Sequence, residues 1–309
     1  MNFTLHVMGS ASAKPIIDRF QSAQVLSVHG RLFLIDCGEG VQLRLQQNHI
    51  SIQKIDSLFI SHIHGDHVFG IFGLLSTMGM LGRQIPLNIY APNSFGGILK
   101  FFLSYYGEGI GFEIRHIVVK AKEPEVIYET KTLSISALPL NHGIETYGYI
   151  FREKTPQRNV YKPMIEHYGL TLTEIGTLKR GEDVVREDGT LLKNSDLTYL
   201  PWEPRSYAYI SDTAPFPQLA EWLRGIDVLY HECTYTAALS DQAAQRHHST
   251  TLQAAQTALD AGASNLLVGH FSSRERDAAV YERECRSIFP ETVAVNDGDT
   301  FDFPLKKSL

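Results

Sequence analysis

The chain has 309 residues, 43% of them hydrophobic and 20% charged, which excludes a wholly disordered chain, a collagen-like fibre and a coiled coil. Its formal net charge is −6, so composition by itself gives no sign of a nucleic-acid partner, although a local basic patch is compatible with it. That length suits two domains or one large layered domain, with enough chain to bury a sizeable core. No apolar run reaches the roughly 18–20 residues of a membrane helix, and Met1–His6 lacks a basic stretch followed by an apolar one, so neither a membrane span nor a signal peptide is expected. Three widely spaced cysteines, Cys37, Cys233 and Cys285, form neither a disulfide framework nor a CxxC zinc pattern and fit a reducing cytoplasm.

In chain order, Phe3 to Met8 reads as extended, then turns at Gly9-Ser10-Ala11-Ser12. Gln24–Val28 and Arg31–Ile35 read as a hairpin around His29-Gly30, closed by Asp36-Cys37-Gly38-Glu39-Gly40. Val41–Gln47 has helical spacing, Ser57–Ile60 is a short apolar strand, and Val68–Leu81 is apolar at helical spacing. A strand at Leu87–Tyr90 and a helix at Phe95–Tyr105 follow, then strands at Phe112–Val119, Val126–Tyr128, Leu133–Leu138 and Tyr147–Phe151. The pattern breaks over residues 152–205, a polar, weakly periodic stretch read as an inserted arm. Alternation resumes with Tyr207–Ile210 (strand), Pro217–Leu223 (helix), Val228–His231 (strand), Thr250–Ala261 (helix), Asn265–Val268 (strand) and Arg276–Ile288 (helix). Strands first, then strand–helix alternation, place sheets in the middle and helices outside. No tandem repeat of 20–50 residues is present.

The decisive segment is Ser61-His62-Ile63-His64-Gly65-Asp66-His67, of the form H-x-H-x-D-H. Residues i and i+2 of an extended chain point the same way, so His62 and His64 can grip one ion. Gly65 lets the chain turn and carries Asp66 and His67 to a second. Nitrogen-rich ligation with one hard oxygen suits zinc, or alternatively manganese or iron. The alternative is chance clustering of histidines. One segment does not complete two metal shells, and His142, Asp212 and His270 each follow an apolar strand. A carboxylate such as Asp212 can bridge two ions. Paired metals lower the pKa of a shared water and clamp the attacking and leaving oxygens of a phosphodiester. Ester, lactone or lactam hydrolysis is equally open on metal geometry alone.

These residues resemble the metallo-β-lactamase superfamily and, more narrowly, the ribonuclease Z family, over nearly the whole chain. The resemblance runs through Gly9-Ser10, Asp36–Gly40, Ser61–His67, His142-Gly143, Ser211-Asp212-Thr213, His231-Glu232-Cys233-Thr234, His248-Ser249-Thr250 and Gly269-His270-Phe271-Ser272-Ser273-Arg274. The H-x-H-x-D-H pattern belongs to the whole superfamily; the His-Ser-Thr and His-Phe-Ser-Ser-Arg segments narrow it. It implies an α/β fold, a four-layer αββα sandwich spanning 1–309 with the arm at 152–205 inserted. It implies an endoribonuclease that removes the 3′ trailer of precursor tRNA, leaving a tRNA 3′-hydroxyl and a trailer 5′-phosphate. Two zinc ions per subunit are implied, or manganese, in a homodimer of the short form.

Carried over by position, His62, His64 and His142 hold one ion, Asp66, His67 and His270 the other, and Asp212 bridges. Asp66 also orients or deprotonates the water, His248 protonates the leaving 3′ oxygen and Glu232 orients His248. Arg274 is a phosphate contact. The arm carries Arg152, Lys154, Arg158 and Lys162 against Glu153 alone before Glu166, and Lys179-Arg180 further on; over 152–205 nine basic residues meet nine acidic ones. Lys154, Arg158, Lys162, Lys179 and Arg180 are therefore candidates for gripping tRNA. The sequence departs from the family at Leu172-Thr173-Glu174-Ile175-Gly176, where a Gly-Pro pair is usual. Two rivals stay open: a dinuclear hydrolase of the same fold acting on small phosphodiesters, sulfate esters or lactones, and a non-catalytic RNA-binding subunit.

Overall fold

Several strands alternate an aromatic with an aliphatic side chain, and this alternation fixes the layers. Phe33 neighbours Leu34, Phe59 neighbours Leu58, Tyr149 and Phe151 flank Ile150, and Tyr207 and Tyr209 flank Ala208. Successive strand residues face opposite sides, so each sheet acquires an aromatic and an aliphatic face. The computed structural model describes residues 1–307. It has two seven-stranded sheets. The first runs Thr300–Asp302, Phe3–Gly9, Ala23–Val28, Arg31–Ile35, Ile55–Phe59, Leu87–Pro92, Ile114–Val119. The second runs Thr292–Ala294, Asn265–Gly269, Val228–Glu232, Ser206–Ile210, Tyr147–Glu153, Leu133–Pro139, Glu125–Glu129.

The aromatic faces meet. The Phe33 ring lies 5.9 Å from Phe151, and Phe59 lies 5.3 Å from Tyr149 and 5.5 Å from Phe151. The aliphatic faces turn outward. Leu34, Leu58 and Ile89 pack under the helices Val41–Gln47, Gly70–Met80 and Phe95–Tyr106. Ala208, Leu229 and Val268 pack under Pro217–Trp222, Thr251–Ala261 and Ala278–Arg286. The order is helix, sheet, sheet, helix, as the sequence predicts.

Both sheets contain a parallel block. Arg31–Ile35, Ile55–Phe59 and Leu87–Pro92 run parallel in the first. Ser206–Ile210, Val228–Glu232, Asn265–Gly269 and Thr292–Ala294 do so in the second. Ligands in such layered folds gather at the carboxyl ends of parallel strands. Asp36, Ser61, Asp212, Glu232 and His270 all stand at or just past such ends.

Two details differ from the sequence reading. The helix expected over Val68–Leu81 is two helices, Gly65–Val68 and Gly70–Met80, broken at Phe69. The strands Thr292–Ala294 and Thr300–Asp302 are additional; three residues are too few to show alternation. The chain also separates into two compact units, the second built on Arg152–Arg205 with Thr130–Ser134 and the residues from Pro304.

That second unit is a folded module rather than a structureless loop. Leu170, Leu178, Leu192 and Leu197 form its core. The helix Leu172–Lys179 opens with a capping box, in which Thr171 accepts from the Glu174 backbone and Glu174 accepts from the Thr171 N–H. The segment lacking the family's Gly-Pro pair is this helix. Its periodicity is too short to register against a polar background. The span from Glu153 to Arg205, 52 positions apart, is closed by a buried ion pair, Nη2–Oε1 at 2.7 Å and Nε–Oε2 at 2.9 Å.

Gly70 marks where the helix Gly70–Met80 meets the loop that follows the strand Arg31–Ile35. Its N–H donates to the Cys37 carbonyl at 2.9 Å, and a Cβ there would stand 1.9 Å from the Gly38 carbonyl oxygen. Gly70→Ala is expected to destabilise the fold by about 1–3 kcal/mol, read as a lower urea midpoint with unchanged m-value.

Candidate metal centre

The centre lies wholly within the first unit. His62 and His64 stand two apart on extended chain, their Nε2 and Nδ1 atoms 3.0 Å from each other. His142 Nε2 comes within 3.3 Å of His64 Nδ1. Asp212 Oδ2 lies 3.5 Å from His62 Nε2 and 3.9 Å from His142 Nε2. The chain then enters the short helix Gly65–Val68, which swings Asp66 and His67 to the other side. His67 Nε2 lies 3.2 Å from His270 Nε2, and Asp66 Oδ2 lies 3.5 and 3.4 Å from these two nitrogens. Asp212 Oδ1 reaches the same pair at 3.6 and 3.2 Å. The seven sequence-predicted ligands therefore gather as two donor sets, with one oxygen of Asp212 toward each.

Hydrogen-bond counting shows which way the imidazoles face. His67 Nδ1 is held by Asp36 Oδ2 at 2.7 Å, so its proton sits there and its Nε2 lone pair points inward. Ser61 spends its hydroxyl proton on Asp36 and accepts from His62 Nδ1 at 2.9 Å. His142 Nδ1 donates to the His247 carbonyl at 2.9 Å. Thr234 donates to Glu232 Oε2 at 2.8 Å and accepts from His270 Nδ1 at 2.8 Å. The Nε2 atoms of His62, His142, His67 and His270 thus all face the centre. Asp212 Oδ1 is buried and has no hydrogen-bond partner among the described residues. Converging ring nitrogens and an orphaned carboxylate oxygen fit a cation.

The electrostatics agree. Burial and the neighbouring imidazoles His67, His64 and His142 hold His62 well below the ordinary histidine range. Burial likewise lowers His64 and His142, so this set is neutral and ready to ligate. Burial opposes charge on His67, yet Asp66, Asp212 and Asp36 push it up to about 10. Burial opposes charge on Asp66 too, but His67 and His270 hold it well below the carboxylate range. Three carboxylates around one imidazole create a demand for positive charge, which a proton or a metal ion can meet.

Beside the donors stands His248. Its Nε2 is 4.0 Å from Asp212 Oδ2 and its Nδ1 is 3.1 Å from Glu232 Oε1. Burial would lower its pKa, but Glu232 and Asp212 push it up to about 9. Glu232 is fully buried; burial would raise its pKa, but His248 holds it to about 2. It accepts from the Thr213, Thr234 and Ser249 backbone N–H groups as well as the Thr234 hydroxyl. The helix after His248 is capped by Thr250 in a box with Gln253, while Ser249 is buried and donates to the Thr213 carbonyl.

A cleft of about 710 Å³ opens over the centre, lined by His64, Asp66, His142, Asp212, His248 and His270. Arg274 is on its wall and donates to Gln242. Lys14 and Arg246 also line it and were not singled out from the sequence. Two positioning residues were missed as well. Asp36 reads in sequence only as a strand end, and Thr234 only as a neighbour of Glu232. The arm candidates lie in the second unit. Arg158 is tied to Thr198 Oγ1 at 2.6 Å and Arg180 to Glu182 at 3.2 Å. Lys162 is exposed; Lys154 and Lys179 are half-buried.

Residues 3–149 match a family model described as Anti-Pycsar protein Apyc1, a span that stops short of Asp212, Glu232, His248 and His270. The chain is 37% identical to ribonuclease Z of Bacteroides thetaiotaomicron over 295 residues, covering 96% of this chain and 93% of that one. This chain belongs to the ribonuclease Z family. Its fold is similar to the short form of human tRNase Z, with TM-score 0.70 at 22% identity over 97% of this chain and 99% of that one. It is also similar to the metallo-beta-lactamase fold protein YhfI from Bacillus subtilis, with TM-score 0.69 at 18% identity over 98% and 100%. The fold is the metallo-β-lactamase fold, and this ribonuclease Z family member carries a metal-binding cluster.

The Thr234 hydroxyl is the junction of this network. Thr234→Val removes the donor to Glu232 and the acceptor for His270. Metal affinity is expected to fall about 10- to 100-fold, measured by competition with a chromogenic chelator, while Thr234→Ser stays near wild type.

Proposed function

We infer that this chain is a metal-dependent endoribonuclease that removes the 3′ trailer of precursor tRNA. The observation that carries the reading is the Glu232–His248 pair beside the seven-donor cluster, in a chain of the ribonuclease Z family. We assign two ions per subunit, zinc or alternatively manganese. His62, His64 and His142 would hold one, Asp66, His67 and His270 the other, and Asp212 would bridge. Such ions supply Lewis acidity, making water acidic near neutral pH and offsetting phosphate charge.

The chain's own groups do the rest. Asp66, fixed by the Ala13 N–H at 2.6 Å, orients or deprotonates the attacking water. The water oxygen joins phosphorus as the bond to the tRNA 3′ oxygen breaks. His248, charged and steered by Glu232, gives that oxygen its proton from Nε2. The trailer leaves with a 5′-phosphate and the tRNA keeps a 3′-hydroxyl. Arg274 and the arm cations Lys154, Arg158, Lys162, Lys179 and Arg180 contact phosphates; Lys162 and Arg180 are the exposed members of the arm set.

The finer assignments have separate support. The helix Phe95–Tyr106 leaves Phe101, Tyr105 and Tyr106 exposed, an aromatic face suited to a second copy in a homodimer. Cys37, Cys233 and Cys285 are all unpaired, which suits the cytoplasm. No helix among the described residues is long and apolar enough to cross a membrane.

The test is cleavage of a precursor tRNA with a 3′ trailer. One cut is expected, beside the discriminator base or after CCA, and it should be lost on chelation. His248→Ala is expected to slow it about 10²- to 10⁴-fold with metal content unchanged. A metal-loaded protein that spares the RNA but hydrolyses a small aryl phosphodiester would overturn the substrate assignment. For the arm, Lys162→Ala is expected to weaken tRNA binding and reduce the salt slope of log K by about 1, leaving small-phosphodiester hydrolysis unchanged.

A further inference from the structure

Phe69 breaks the logic of its surroundings. The residues before and after it are committed: Asp66 and His67 to the metal donors, Val68 and Ile71 to the core under the first sheet. Phe69 instead is 61% exposed, at the break between the two helices. Leaving an aromatic side chain in water forgoes the stabilisation its burial would bring.

The ring is nonetheless held. It occupies the space where a Gly65 side chain would project, its carbons 2.3 and 2.4 Å from the position of a Cβ there. Any residue other than glycine at 65 would evict it. Gly65 thus serves space rather than backbone freedom, since its φ is not in the left-handed region. The ring lines the same cleft as His64, Asp66 and His248, together with the cations Lys14, Arg246 and Arg274. An RNA strand whose phosphate reaches the metal donors and whose backbone meets those cations passes this ring.

We propose that Phe69 is the stacking platform for a nucleobase adjoining the scissile phosphate. This rests on the RNA-cleaving reading above and adds a base contact to it. Every base has a π-face, so such a platform accepts any sequence while fixing the strand at the centre.

The experiment uses metal-loaded full-length protein and three precursor tRNAs: intact, abasic on the 5′ side of the cut, and abasic on the 3′ side. Phe69→Ala should lose about 5- to 100-fold in kcat/KM on the intact RNA, and Phe69→Trp should retain activity. Wild type should lose a similar factor on one abasic RNA, and on that RNA Phe69→Ala should cost nothing more. Metal content is measured in parallel; should the alanine variant lose metal, Phe69→Leu, apolar but without a π-face, takes its place. An equal loss on all three RNAs, or no loss on the intact one, overturns the proposal. A wild type that cuts none of the three overturns the RNA-cleaving reading itself, so the two failures are distinct.

Discussion

One buried carboxylate holds the centre together. Asp36 is fully inaccessible to solvent and ends the strand Arg31–Ile35. Burying a charge is costly unless hydrogen bonds replace water. Four do so here: the Ser61 N–H at 2.7 Å, the Ser61 hydroxyl at 2.8 Å, His67 Nδ1 at 2.7 Å and the Tyr209 hydroxyl at 2.7 Å. Tyr209 comes from the second sheet and the other donors from the segment after Ile55–Phe59. The same interaction therefore pins one sheet's ligand loop to the other sheet and fixes the tautomer of His67. Through Ser61 it fixes His62 as well. Asp36 adopts φ +54°, a backbone state that Asp tolerates better than most residues. His270 at φ +62° and Ala13 at φ +56° share it, and both touch Asp66. Unfavourable backbone states gathered at one place are the mark of a site whose geometry the fold over-determines.

Glu232 does on the second sheet what Asp36 does on the first. It too is fully buried at the end of a parallel strand and satisfied by backbone N–H groups and a hydroxyl. The consequence differs because of what each carboxylate faces. Asp36 orients two imidazoles whose lone pairs point inward. Glu232 faces His248, which keeps a proton instead of a lone pair. Through Thr234 it also orders His270, so His248 and His270 answer to one anion.

The legible part of this site was local. His62 and His64 stand at i and i+2, and His142, Asp212 and His270 each follow an apolar run, so neighbouring residues announce them. Asp36 and Thr234 were silent because their partners lie elsewhere: His67 is 31 residues from Asp36, and His270 is 36 from Thr234. The layers were legible where strands come first and strand–helix alternation follows. They were not where a strand has three residues, as at Thr292–Ala294, or where the apolar period runs unbroken through Phe69. Ser249 resembles a helix cap in sequence, but burial against Thr213 leaves that task to Thr250.

The arm shows why a charge count misjudges a surface. Its nine basic and nine acidic residues cancel on paper. In space the arginines do most of the cancelling: Arg205 with Glu153, Arg186 with Glu174, Arg180 with Glu182. A planar guanidinium fork suits a fixed carboxylate: Arg205 and Glu153 pair in a buried site, while Arg180 and Glu182 pair at the surface. A lysine is a point charge on a flexible stem, better matched to phosphates whose positions vary from one RNA to the next. A module neutral by count thus still places Lys162 and Arg180 at its surface, while Arg205 is buried with Glu153.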